Sequence, residues 1–203
     1  LRTPLTALRS VGEDALREHD HPAISSMLEE AQRLEELMES LLTLARLEGG
    51  KTQITREPIR VHELLNEVRE MLKVLAAEKQ QSVEISGDTI PTAQADRLLL
   101  RQAVTNVLHN AIRHAPAGSS IRITIEVDSH EVMIAIADEG PGIAPEHHAK
   151  IFDRFYRVDK ARARADGGHG LGLAIAKSAV ERQSGHIKVD SASGSGSIFR
   201  IHM

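Results

Sequence analysis

The chain of 203 residues contains no cysteine and no tryptophan, and only three phenylalanines and one tyrosine. Without thiols there is neither a disulfide framework nor a thiolate metal site, and the composition accords with a reducing compartment. With aromatics at 2%, the core has to be built from aliphatic side chains. No apolar run approaches the ~20 residues of a membrane-spanning helix, and no secretory signal is visible. A basic surplus is also missing. The formal charge is -4, which argues against the electrostatic footprint of a nucleic-acid binder. What remains is enough chain for one large domain or two smaller ones. The sequence opens at Leu1 inside a helical pattern, so it reads as the C-terminal part of a longer protein.

Leu1, Leu5, Leu8 and Ala15 mark one helical stripe. Ile24, Met27 or Leu28, Ala31, Leu34, Met38, Leu41 and Ala45 mark a second, close to a heptad seam. Pro22 suits the first turn of the second helix, and Gly49-Gly50 suits its end. Two amphipathic helices cannot close a core alone, whereas two such hairpins from two chains form a four-helix bundle. The expectation is a homodimer through residues 1–48, a linker over 49–57 and a second domain over 58–203. In that domain the periodicity predicts helices over 61–78, 96–114 and 171–183, and strands over 83–85, 121–127, 132–137, 186–190 and 197–202. The fold class expected is α+β: a helical hairpin followed by an α/β sandwich, with helices on one face of a mixed sheet. The stretch 144–169 has little periodicity, carries several basic residues and ends in glycines, and it reads as a mobile lid.

The chemistry concentrates on the helix over 96–114. Leu99, Leu100, Ala103, Val104, Val107, Leu108, Ala111 and Ile112 form one wide apolar face, with Asp96 as N-cap and Pro116 as a stop. Asn106, Asn110 and Arg113 lie about a turn apart on another face. A carboxamide oxygen suits Mg²⁺, and a guanidinium one turn further on suits the phosphates such a metal bridges. The same spacing also fits an ordinary amphipathic helix with a solvated polar face. Further along, Asp138-Glu139-Gly140-Pro141-Gly142-Ile143 follows an apolar strand, and Gly140 and Gly142 let the backbone turn without a Cβ in the way. Gly168, Gly170 and Gly172 alternate before a helix, leaving amides open at its positive end, a natural place for phosphate. A glycine hinge fits the same residues. His147-His148 and His19-Asp20-His21 lack the geometry and thiolate support of a metal site and read as solvated residues.

These motifs, in this order, with Phe152-Asp153-Arg154-Phe155-Tyr156-Arg157 between the last two and Leu1-Arg2-Thr3-Pro4-Leu5-Thr6 at the start, resemble the sensor histidine kinases of two-component systems. That family carries an asparagine box, two glycine boxes and a phenylalanine box on a Bergerat-type ATP-binding fold. The resemblance implies a kinase core that binds ATP and Mg²⁺, with Asn110 as the metal ligand and Asn106 in support. It puts Arg113 near phosphate and His114 near the base, with Arg157 meeting either the γ-phosphate or the partner helix. Asp138 would accept a hydrogen bond from the adenine amine beside Gly140, Gly142 and Ile143. Gly168, Gly170, Leu171, Gly172 and Leu173 would cradle the phosphates, and Phe152 and Phe155 would anchor the lid, although simple core packing fits both phenylalanines equally. His109 is expected to be a bystander rather than a phospho-acceptor.

By the same resemblance, the phospho-accepting histidine would immediately precede Leu1. The γ-phosphoryl group would pass to it and then to an aspartate on a response-regulator receiver domain. Thr3 would position water for dephosphorylation of that regulator, and Pro4 would bend the helix. An inner-membrane sensor with this part in the cytoplasm is the expected parent. The related ATPases of the same superfamily, such as type II topoisomerases and mismatch-repair proteins, place a glutamate one turn before the metal-binding asparagine. Here that position holds Asn106, which cannot act as a general base. A third reading is a non-catalytic dimeric scaffold that holds nucleotide as a structural element.

Overall fold

The computed structural model describes residues 22–49, 53–88, 91–128, 131–158 and 169–203. The first helical stripe, Thr3, Pro4 and Gly168 lie outside them. Helix α1 (Pro22–Glu48) stops immediately before Gly49, whose amide donates to the Ala45 carbonyl at 2.9 Å. A short strand β1 (Glu57–Arg60) leads into helix α2 (Val61–Glu78), followed by β2 (Ser82–Gly87), β3 (Thr92–Ala95) and helix α3 (Arg97–His114). The hairpin β4 (Ser120–Asp128) and β5 (Glu131–Asp138) comes next. A 3₁₀ turn (Pro145–His147), helix α4 (Gly172–Glu181) and the hairpin β6 (His186–Ser191) and β7 (Ser197–His202) complete the chain.

Five strands form one mixed sheet in the order β2-β4-β5-β7-β6, parallel between β2 and β4 and antiparallel elsewhere. Its period-two pattern puts apolar residues on one face. The register pairs Ile123 with Ile136 and Ile136 with Phe199, so one buried row crosses three strands. Burial of each such side chain stabilises the fold by about 1.5–3 kcal/mol relative to exposure. Arg122, Glu126 and Lys188 stand exposed on the other face.

Helices α2, α3 and α4 cover the apolar face. All eight residues expected on the inner face of α3 are buried there. Asp96 caps this helix as its sequence position predicts: Oδ1 accepts from the amides of Leu98 and Leu99 at 3.0 and 3.2 Å. The rest of Asp96 ties distant parts together. Oδ2 accepts from the Thr55 amide at 3.0 Å, and the Asp96 amide donates to Gln183 Oε1 at 2.9 Å. At the other end, Lys79 Nζ donates to the carbonyls of Ile112, Arg113 and Ala115 at 2.7–2.8 Å, a cation placed at the negative end of the helix.

β1 and β3 pair as a separate two-stranded sheet that periodicity does not predict. Each is four residues long and β1 contains Pro58, which suppresses any strand signal. Helix α1 presents two apolar stripes. Leu44 and Leu47 are buried against α4, while Met27, Leu34, Leu41 and Leu42 remain exposed.

Candidate functional site

The expected site residues converge because α3, the end of β5 and the start of α4 meet at one edge of the helical layer. Together they line a cavity of about 510 Å³. From α3 come Asn106, His109, Asn110, Arg113 and His114. Asp138 and Ser197 enter from the ends of adjacent strands, and Pro141, Gly142 and Ile143 from the following loop. Ile151, Tyr156, Arg157 and Val158 form the lid side, and His169, Gly170, Leu171, Gly172 and Leu173 lead into α4.

Asp138 is only 9% exposed, and its Oδ1 accepts from the Gly140 amide at 2.8 Å. Burial raises its pKa above the ordinary carboxylate value, while hydrogen bonds from the Gly140 and Ser197 backbones work in the opposite direction. A buried acceptor at the mouth of an apolar strand fits recognition of an amino group on a flat ring. Gly140 is confined by its neighbours, since a Cβ there would sit 2.6 Å from Asp138 Oδ1 and 3.2 Å from the His114 carbonyl oxygen. Gly142 has φ +71° and passes so close to the Ala192 carbonyl that a Cβ would collide with it. The β6–β7 turn braces this loop. Ser191 Oγ accepts from the Ile143 amide at 2.8 Å and donates to the Gly196 carbonyl at 2.6 Å, and the Gly194 amide donates to the Pro141 carbonyl at 2.7 Å.

On α3, Asn106 Nδ2 donates back to the Gln102 carbonyl at 2.8 Å, which fixes its carboxamide. Its Oδ1 faces Gly172, where a Cβ would lie 3.2 Å away, so glycine lets the first turn of α4 approach the asparagine pair. The donor set suits Mg²⁺ bound together with phosphate: neutral carboxamide oxygens on one wall, with Arg113 a turn further on. Arg113 and Arg157 make the surroundings electropositive. His109 and His169 both have lowered pKa values, caused first by desolvation, with the Arg113 charge contributing to each.

The two lid phenylalanines behave differently. Phe152 packs edge-on to Phe199, with ring centroids 6.4 Å apart and planes at 86°, and so joins the lid to the sheet core. Phe155 is 56% exposed, and neither phenylalanine lines the cavity. The backbone of Phe155 carries the contact instead, as its amide donates to the Gly170 carbonyl at 2.8 Å. His147 Nδ1 and Tyr156 Oη are hydrogen-bonded at 2.7 Å, and His148 Nε2 lies 3.0 Å from the Ile143 carbonyl oxygen, which holds the lid to the loop after β5.

Several lining residues carry no sequence signal. Tyr156 and His169 lie within recognised motifs but have no role assigned from the sequence, and Ser197 is the register partner of Asp138. Glu36 and Ser40 reach the cavity from α1, a contact only the tertiary fold creates.

Residues 95–203 match the family described as histidine kinase-, DNA gyrase B-, and HSP90-like ATPase, and residues 1–50 match the His kinase A (phospho-acceptor) domain. The chain belongs to that ATPase family. The pairing of the two domains places it with the sensor histidine kinases. It is 34% identical over 206 residues to the sensor-like histidine kinase SenX3 of Mycolicibacterium smegmatis, covering 99% of this chain and 54% of that protein. It is 33% identical over 208 residues to the phosphate regulon sensor protein PhoR of Pseudomonas aeruginosa, covering 100% and 47%. The chain thus spans about half the length of these relatives. The crystal structure of full-length ShkA in complex with AMPPNP superposes with a TM-score of 0.80 at 29% identity, covering 99% of this chain and 43% of that one. The shared fold is the Bergerat-type α/β sandwich, so the α+β class read from the sequence holds.

Proposed function

We propose that this chain is the kinase core of a two-component sensor and binds Mg²⁺-ATP in the cavity between α3, the lid and α4. One observation carries the reading. Asn106, Asn110 and Arg113 line the same cavity as Asp138 and the glycine-flanked start of α4, residues far apart in sequence. Adenine binds against Asp138, Gly140, Gly142, Ile143 and His114. The triphosphate runs toward Arg113, Arg157 and the segment containing Gly168, Gly170, Leu171, Gly172 and Leu173. Asn110 holds Mg²⁺ with Asn106 in support, and the bound metal supplies neutralisation of the phosphate charge. The chain's own contribution is to orient the γ-phosphate, shield it with the lid carrying Phe152 and Phe155, and stabilise developing charge with Arg113.

In the longer protein, the phosphoryl acceptor is a histidine just ahead of Leu1, followed by an aspartate of a receiver-domain partner. Thr3 would position the water that hydrolyses the receiver's aspartyl phosphate to release inorganic phosphate. The division at 1–48, 49–57 and 58–203 fits these roles. The exposed stripe of Met27, Leu34 and Leu41 supports dimerisation through the helical hairpin. A membrane-anchored parent is part of the same proposal. Among the described residues no helix is long and apolar enough to cross a membrane. Hydrolysis of ATP by water as the main task is disfavoured, because Asn106 offers no base where the related ATPases have glutamate.

The test is transfer of label from γ-labelled ATP to the full-length protein. Acid-labile, base-stable label that disappears when the upstream histidine is replaced supports the reading, and release of free phosphate without labelled protein overturns it. Thr3→Ala in the intact protein should slow loss of label from the receiver domain while sparing autophosphorylation.

A further inference from the structure

Helix α1 does more than lie beside the catalytic body. Leu44 and Leu47 are buried against it, the Arg182 guanidinium donates to the Leu47 carbonyl, and Glu48 pairs with Arg154 at the lid. Held there, α1 puts Glu36 on the wall of the nucleotide-type cavity. Glu36 also lines a second cavity of about 520 Å³ between α1, α2 and α3, and His109 and Arg113 border both spaces. Among the described residues, the one other carboxylate on the first cavity's lining is Asp138, which is buried and bonded to Gly140. Among the described residues, Glu36 is therefore the exposed carboxylate placed to act on the cations Arg113 and Arg157, beside the imidazoles of His109 and His169. Its charge is felt at both imidazoles, where it opposes the lowering of their pKa values. A triphosphate needs the same cations.

We propose that Glu36 is an affinity-determining residue of this site, an anion on α1 that competes with nucleotide phosphates for the cations of the cavity and must be displaced when nucleotide binds. The inference rests on the nucleotide reading above. It makes the position of α1 a direct control on nucleotide affinity: α1 docked weakens binding, and α1 released strengthens it.

The experiment is calorimetry of the whole chain with a non-hydrolysable ATP analogue and Mg²⁺. Glu36→Gln removes one exposed charge and should tighten binding about three- to tenfold at low ionic strength, with the gain shrinking in high salt. Glu39→Gln, on the same helix but off the cavity lining, should change nothing. Glu48→Arg sets like charges against Arg154 and loosens α1. It should tighten binding by itself and remove the effect of Glu36→Gln. Equal or weaker binding by Glu36→Gln overturns the inference, weaker binding indicating a carboxylate that helps hold the metal. If neither the parent chain nor any variant binds the analogue, the nucleotide reading has failed and the inference with it.

Discussion

Phe155, inside the lid segment, is clasped to Gly170 just beyond it: the Phe155 amide donates to the Gly170 carbonyl at 2.8 Å, and both residues have positive φ, +62° and +67°. A left-handed backbone is costly for phenylalanine and nearly free for glycine. The surrounding contacts therefore hold Phe155 there, and Gly170 makes the approach possible.

Gly170→Ala should break this clasp. A Cβ would lie 2.8 Å from the Tyr156 carbonyl oxygen and 2.9 Å from the Phe155 carbonyl carbon. The left-handed conformation alone costs about 1–2 kcal/mol. Thermal melting should show a lower midpoint, and the affinity for an ATP analogue should fall about tenfold or more. A variant with unchanged affinity would remove the clasp from the binding site.

The pH dependence follows from Asp138, whose folded pKa is raised from 3.8. For the free chain, this group's contribution to stability is complete below 3.8 and is lost as pH rises through the folded value. For adenine, the ionised form is the acceptor, so affinity should weaken as pH falls through that raised value. Asp138→Asn should cost about 1.5–3 kcal/mol of nucleotide binding and flatten its acid limb. An unchanged acid limb in the variant would place the titrating group elsewhere.

Dimerisation is tested at Leu34, which is 42% exposed on the outer stripe of α1. Leu34→Lys would place a charge in a seam that has to be desolvated. Sedimentation should show a monomer, with nucleotide binding retained because Leu34 is absent from the cavity lining. A surviving dimer would mean that another surface holds the subunits together.

Much of the catalytic layer is legible in the sequence because the period of its apolar residues matches its elements. α3 has the expected eight-residue buried face and the expected cap, and β7 has the expected limits. The glycines that matter were also readable, since Gly140, Gly142 and Gly170 occupy sterically closed or left-handed positions. What escaped is long-range. The β1–β3 pair is too short for a periodic signal. Ser191, Gly194 and Gly196 brace the loop after β5 from a hairpin about fifty residues away, Ser191 being separated from Ile143 by 48 positions. The second apolar stripe of α1, through Leu44 and Leu47, is hidden within a helix that reads as a one-sided dimer seam. Its docking also brings Glu36 to the cavity, which local pattern cannot reveal.

The account depends most on Asn110. The direct measurement is titration of the chain with a non-hydrolysable ATP analogue, with and without Mg²⁺, in the parent and in Asn110→Ala. The parent should bind in a metal-dependent way, and the variant should lose tenfold or more in affinity together with its dependence on Mg²⁺. An Asn110→Ala chain that keeps both the parent's affinity and its metal dependence would contradict the assignment.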